Sequence, residues 1–354
     1  MKNLGHENML KKLLPITAIL ASIAGNAHAG DIYMPAISVS DYEKALQNNE
    51  SITFKSTKLP DRLKDIAIRT FGSAIKENTN SDNDTILSPR IIAGSNASRG
   101  EYPEFTQLLV EDSGSLFPIC GATLIDNQKV LTAAHCSTEP LNYFFIPNFY
   151  AFSDFSSGIP SDEIFFATSR RIHPNFTETN TRIDNDVAVF TLENSASTKR
   201  ATLYDGENDG RVSALSGFNG TVIGTGLLSS QTGQTPNVLQ EVAAPIVSNA
   251  VCQAAWGPTI QITSTVICAG FTNSDRGSCN GDSGGPLWAT VNGERVQAGV
   301  VSFGPVDCSF NSEVFGGYSR VSALASFIRQ NAPGASFSSD PDVNITPVYQ
   351  LLLD

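Results

Sequence analysis

Gly281-Asp282-Ser283-Gly284-Gly285-Pro286, preceded by Cys279 and Asn280, sets one hydroxyl among small residues. Such a run can turn sharply, because glycine accepts positive φ without a side-chain clash. The turn lets a carbonyl group come close to the Ser283 hydroxyl. It also lets the amides of Gly281 and Ser283 aim at one developing negative charge. The same composition suits an ordinary Gly/Pro turn carrying an exposed serine. The rest of the chain decides between the two.

The chain has 354 residues, of which 41% are hydrophobic and 16% charged, a balance that builds a large core rather than a disordered segment. Short runs of Val, Ile, Thr and Phe, broken by 28 glycines and 18 prolines, favour strands and turns over long helices. A net charge of -12 argues against nucleic acid as a partner, which needs a basic face.

Residues 1–29 have the form of a signal peptide. Lys11 and Lys12 precede an apolar run thirteen residues long, Leu13 to Gly25, interrupted only by Thr17 and Ser22, and Ala27-His28-Ala29 fits a small-x-small cleavage site. Met9 would serve as an alternative start. A run of thirteen residues is short for a bilayer span, so the expected product is secreted, with no membrane span. Six cysteines in an exported chain, all between Cys120 and Cys308, predict disulfides, and their spacing leaves fifteen connectivities open.

Residues 30–90 read as a separate segment. Asp61 to Asn78 has helical spacing at Leu63, Ile66, Phe71 and Ile75, and Glu77 to Pro89 is a polar linker. Past Arg90 the chain becomes strand-like, with turn signals about every ten residues. Strands are predicted over Phe105–Val110, Gly121–Ile125, Lys129–Thr132, Asp186–Leu192, Thr221–Gly226, Val266–Ala269 and Gln297–Phe303. That rhythm suits antiparallel sandwiches or barrels. One late helix is predicted from Val321 to Ala332, ahead of Pro333, and residues 333–354 read as a polar tail. No internal repeat is evident.

Two histidines lie beyond residue 90. His135 closes an apolar run, Val130-Leu131-Thr132-Ala133-Ala134-His135-Cys136, while His173 before Pro174 reads as a surface turn residue. Asp186 leads into an apolar strand, Asp186-Val187-Ala188-Val189-Phe190. A carboxylate buried there needs partners such as an imidazole N–H and a serine hydroxyl, since unpaired burial costs several kcal/mol.

Thr132-Ala133-Ala134-His135-Cys136, Asp186-Val187-Ala188 and the Ser283 loop occur in that order. Together they resemble the three signature segments of the trypsin/chymotrypsin family of serine proteases, and Arg90-Ile91-Ile92-Ala93-Gly94 resembles the family's activation site. The resemblance covers residues 91 to about 332. It implies an all-β protease domain over 91–332 made of two packed antiparallel barrels, roughly 91–205 and 206–332, with a closing helix. Residues 30–90 would be a propeptide.

Carried over position by position, Ser283 would be the nucleophile, His135 the general base and then acid, and Asp186 the group that orients His135. Gly281 and Ser283 would supply the oxyanion hole. Ser302 matches the serine that bonds the buried aspartate, and Phe303 an aromatic beside the substrate backbone. The family pattern pairs Cys120–Cys136, Cys252–Cys268 and Cys279–Cys308, leaving no cysteine to tether the propeptide, which should depart after cleavage. Ile91, freed by cleavage after Arg90, would pair its ammonium with Asp282.

The specificity pocket would have Gly277 at its floor, beside Ser278, with Gly304 and Gly316 in its walls. Trypsin-like enzymes carry aspartate where Gly277 stands, so the pocket points to apolar or aromatic P1 residues. Asp275, Asp307 and Glu313 lie near enough to keep Arg/Lys specificity as the alternative. A non-catalytic homologue acting as a binding protein is the other reading, and the intact triad argues against it. The implied partners are protein or peptide substrates, an activating protease and protein protease inhibitors, the enzyme being a monomer. No cofactor or metal is implied, and Tyr143 to Ile164 lacks a clear calcium loop. Asn96, Asn175, Asn219 and Asn344 stand in Asn-x-Ser/Thr sequons.

Overall fold

The structure, a computed structural model, describes residues 33–48, 51–52, 55–58, 94–156, 159–160, 163–206, 217–228, 235–271, 276–291, 293–305, 308 and 314–338. The expected signal peptide, the helix expected over 61–78, the expected linker, Arg90, Ile91, Asp275, Asp307, Glu313 and the tail beyond 338 lie outside these residues.

Strands dominate. After β1 (Tyr33–Ser38) and helix α1 (Val39–Asn48) come β2 (Phe105–Asp112), β3 (Ser115–Asp126), β4 (Lys129–Thr132), β5 (Tyr143–Pro147), β6 (Phe165–Ile172) and β7 (Ala188–Leu192). Their pairing order is β3-β2-β5-β6-β7-β4, and β4 pairs back to β3, so six strands close into a barrel. Closure removes the unpaired edges that an open sheet would present. Hairpins are tight where the sequence allows: Ser113 and Gly114, both at positive φ, turn β2 into β3.

The second sheet runs β8 (Gly220–Gly224), β9 (Gln240–Ala243), β10 (Ile246–Val247), β11 (Val266–Ala269), β12 (Pro286–Val291), β13 (Glu294–Phe303) and β14 (Gly316–Arg320) in chain order. Spatially these strands run β10-β11-β14-β13-β12-β8-β9, a half-barrel, with Ser95–Asn96 pairing on the far side of β9. Both ends of that order lie on one segment, since β9 and β10 are separated only by Ala244 and Pro245. Two further helices are described, α2 (Asn249–Trp256) and α3 (Val321–Asn331). The Ser248 hydroxyl caps α2 by accepting from Val251 N. The fold class expected from the sequence is therefore the one observed.

The halves meet through buried polar contacts that specify their register. Thr225 Oγ1 donates to Gln107 Oε1 at 2.8 Å, and the buried Glu104 carboxylate pairs with Arg295 and Lys199, both at 2.9 Å. Strand ends differ from expectation at Asp186: β7 starts at Ala188, because Asn185 sits at φ 51° and Val187 N donates to Asn185 O. Residues expected to be tail also contribute, with Ser336–Ser338 pairing in parallel with Thr202–Tyr204. Phe337 packs under the Arg329 guanidinium there, 4.0 Å from ring centre to charge.

Candidate active site

His135 follows β4 and opens a short 3-10 turn, His135–Ser137, which the Cys120–Cys136 disulfide ties to β3. Asp186 stands just before β7, the strand that pairs with β4, so the barrel's hydrogen-bond ladder brings the two residues together. The Asp186 carboxylate is buried and fully engaged. His135 Nδ1 lies 2.7 Å from Oδ2, and His135 N donates to Oδ1 at 2.9 Å. Ser302 Oγ donates to Oδ2 at 2.6 Å, and Ser319 Oγ donates to the Asp186 carbonyl at 2.7 Å.

Ser302 can reach the aspartate because the β13–β14 register shifts between Val301 and Phe303, leaving Ser302 unpaired in the ladder. Burial alone would push the Asp186 carboxyl up. The His135 charge and the bonds from His135 and Ser302 outweigh burial and hold it below the usual carboxylate value. A carboxylate only accepts, so Nδ1 carries the proton of the neutral ring and Nε2 has the lone pair. An imidazole held this way can take a proton at Nε2 and be stabilised as a cation by Asp186.

The Ser283 loop packs onto the first barrel beside these groups. Gly121 N donates to the Ser283 carbonyl at 2.8 Å, while Thr132 Oγ1 donates to the Gly121 carbonyl at 2.8 Å. Gly284 sits at φ 78°, and a Cβ there would collide with Thr132 Oγ1 and Gly121 O. Only glycine satisfies both the backbone and the contact. Gly281 is also left-handed, at φ 97°. Among the described residues no backbone carbonyl accepts from the Gly281 or Ser283 amide. Two N–H groups on one small-residue turn can therefore serve an incoming oxyanion.

Asp282 points the other way, into the second half. Its oxygens accept from Cys279 N and Gly226 N, both at 2.8 Å, and among the described residues no cation pairs with it. Burial, only partly offset by those two amides, pushes its pKa up to about 7. Gly224 and Gly226 make the room, since a Cβ at either would strike the carboxylate.

Gly277 and Ser278 are buried, Gly304 is exposed, and Gly316 lines the same region. Sequence reasoning missed Tyr318. Its hydroxyl lies 3.4 Å from Ser278 Oγ, a Cβ at Gly316 would press on it, and burial raises its pKa to about 12. Nothing in its strand pattern marks it, because β14 is buried along its whole length. Phe303 makes an edge contact with Trp256 at 5.8 Å and covers Gly317.

All three disulfides join the expected partners, Cys120–Cys136, Cys252–Cys268 and Cys279–Cys308. Closing loops of this size contributes about 3 kcal/mol each. His173 stays apart from the site, its ring against Phe327 at 4.8 Å. Cys120, His135 and Cys136 converge, but both sulfurs are bound in a disulfide and offer no thiolate to a metal. Among the described residues no helix is long and apolar enough to cross a membrane.

Comparison with known proteins agrees with this geometry. A family model described as Trypsin matches residues 91–328. The chain is 31% identical over 249 residues to Trypsin-1 of Astacus astacus, covering 68% of this chain and 100% of that protein. It is 30% identical over 253 residues to a chymotrypsin-like serine proteinase of Haliotis rufescens, covering 69% of this chain and 92% of that one. With this fold and these matches, the chain belongs to the trypsin family of serine proteases and is a serine endopeptidase.

Proposed function

We propose that the chain is a secreted zymogen whose cleavage after Arg90 yields an endopeptidase working through Ser283, His135 and Asp186. The observation that carries this reading is the Asp186 carboxylate, buried and bonded to both the ring and the backbone of His135. In the first step His135 Nε2 takes the Ser283 hydroxyl proton as Oγ bonds to the scissile carbonyl carbon. The carbonyl oxygen becomes an anion held by the amides of Gly281 and Ser283, each donor worth about 3 kcal/mol. His135 then gives its proton to the leaving amine, the C–N bond breaks, and an acyl-Ser283 remains. Water, deprotonated by His135, releases the acid and restores the serine.

Activation follows from Asp282. A carboxylate with two amide donors and, among the described residues, no cation is poorly satisfied when ionised. The Ile91 ammonium, created by the cut, is the cation we assign to it, and the pair would fix the Gly281 turn. For P1 we propose apolar or aromatic side chains. Gly277 offers no carboxylate, and an unpaired buried guanidinium is heavily penalised. Profiling the trypsin-activated chain on P1 peptide libraries, alongside Ser283→Ala and His135→Ala, tests the whole. Activity within tenfold of wild type in either variant would refute the mechanism.

A further inference from the structure

Strand β5 is buried along its whole length, although a barrel strand turns alternate side chains outward. Tyr143 and Phe145 both meet Phe190, with ring centres 5.0 and 5.1 Å apart, so they face inward. Phe144 therefore faces out, beside Phe166 at 5.3 Å, yet it is only 6% exposed. Part of its cover comes from the chain ahead of the protease domain. The Tyr42 ring of α1 meets Phe144 edge-on at 5.7 Å, and its hydroxyl donates to the Ile164 carbonyl at 3.3 Å.

The backbone is docked as well. Ile37 and Ser38 of β1 pair with Leu116 and Ser115 on the part of β3 that β4 leaves uncovered, and Val39 N donates to Gly114 O at 2.8 Å. Ser51–Ile52 pairs with Ile159–Pro160, and β1 pairs with Lys55–Lys58. Ala36 and Ile37 are fully buried, and they share one apolar cluster with the barrel. This is strand addition combined with a helix lying on an aromatic patch, a mode by which separate chains bind each other.

We infer that residues 33–58 remain bound, without a covalent link, after the propeptide is cut, so that the working enzyme is a two-chain complex. The inference rests on the activation reading above. A missing cysteine removes only the covalent tether; the buried contacts do not depend on it. Departure is not needed for substrate entry either. Gly121, which holds the Ser283 loop, lies five residues along β3 from Leu116, on the order of 17 Å at about 3.3 Å per residue.

The test treats the purified precursor with limiting trypsin, which can cut at Arg62, Lys64, Arg69, Lys76 or Arg90. Non-denaturing gel filtration at micromolar concentration is followed by intact mass of the enzyme peak. The expected result is one fragment containing Tyr33–Lys58 per large chain, released by denaturant without reductant. Tyr42→Ala should raise the fragment's Kd about 100-fold or more, as loss of a buried aromatic side chain does, and the fragment should then separate. A wild-type large chain eluting alone would overturn the inference, as would equal retention in Tyr42→Ala. A large chain that does not begin at Ile91 counts against the activation reading alone, because co-elution depends on any cut between Lys58 and Ile91.

Discussion

Replacing Asp282 with Asn in the precursor should flatten its stability between pH 4 and 7. The native carboxyl keeps its proton up to about pH 7, whereas an unfolded chain releases it near 3.8. Between those values the folded state binds more protons, so stability falls as pH rises through the window. Below it both states are protonated, and above it the full penalty applies. A tenfold change in proton affinity is about 1.4 kcal/mol, so the loss across the window is roughly 4 kcal/mol. In a domain of this size that is roughly ten degrees in Tm.

Asparagine presents one oxygen and one amide donor to two N–H groups, Cys279 N and Gly226 N. One of them loses its acceptor, at about 1–3 kcal/mol, so absolute stabilities of the two proteins are not comparable. The slope is what matters. Thermal and urea unfolding at half-unit steps from pH 4 to 8 would give both curves, and their difference cancels other carboxylates such as Asp186. Parallel wild-type and Asp282→Asn curves would refute the reasoning. After activation the Ile91 ammonium should hold Asp282 ionised, and the downward slope of the precursor should disappear.

Ser283→Ala should fold and be exported normally but lose on the order of 10⁴-fold or more in kcat, measured on a chromogenic peptide after activation. Arg90→Gln should give a folded precursor that trypsin does not activate, and amino-terminal sequencing of the wild-type product should read Ile-Ile-Ala-Gly. Wild-type kcat/KM should be higher for phenylalanyl, tyrosyl or leucyl P1 peptides than for arginyl ones, with Gly277→Asp moving the balance toward Arg and Lys. A tenfold wild-type preference for arginine would discard the pocket reading.

Strands that are short apolar runs between turns were legible to the residue, as at Lys129–Thr132 and Val266–Ala269. The late helix was legible because Val321, Leu324, Ala325 and Ile328 recur on one face. The candidate site's outline was readable because the chemistry proposed for it demands particular residue types at the ends of those strands. What the sequence hid is tertiary. Tyr318 meets Ser278 only across a separation of 40 residues along the chain. Ser302 reaches Asp186 through a register shift that no local pattern announces. Helix α1 is polar enough to read as exposed, and Tyr42 is buried where it meets Phe144 and the Ile164 carbonyl, contacts far away in sequence.

Covalent labelling tests the central claim most directly. The activated chain would be treated with an organophosphate and mapped by peptide mass spectrometry. The account predicts one phosphoryl group, on Ser283, formed at a rate that collapses in His135→Ala. An active enzyme labelled on another residue, or left unlabelled, would contradict it.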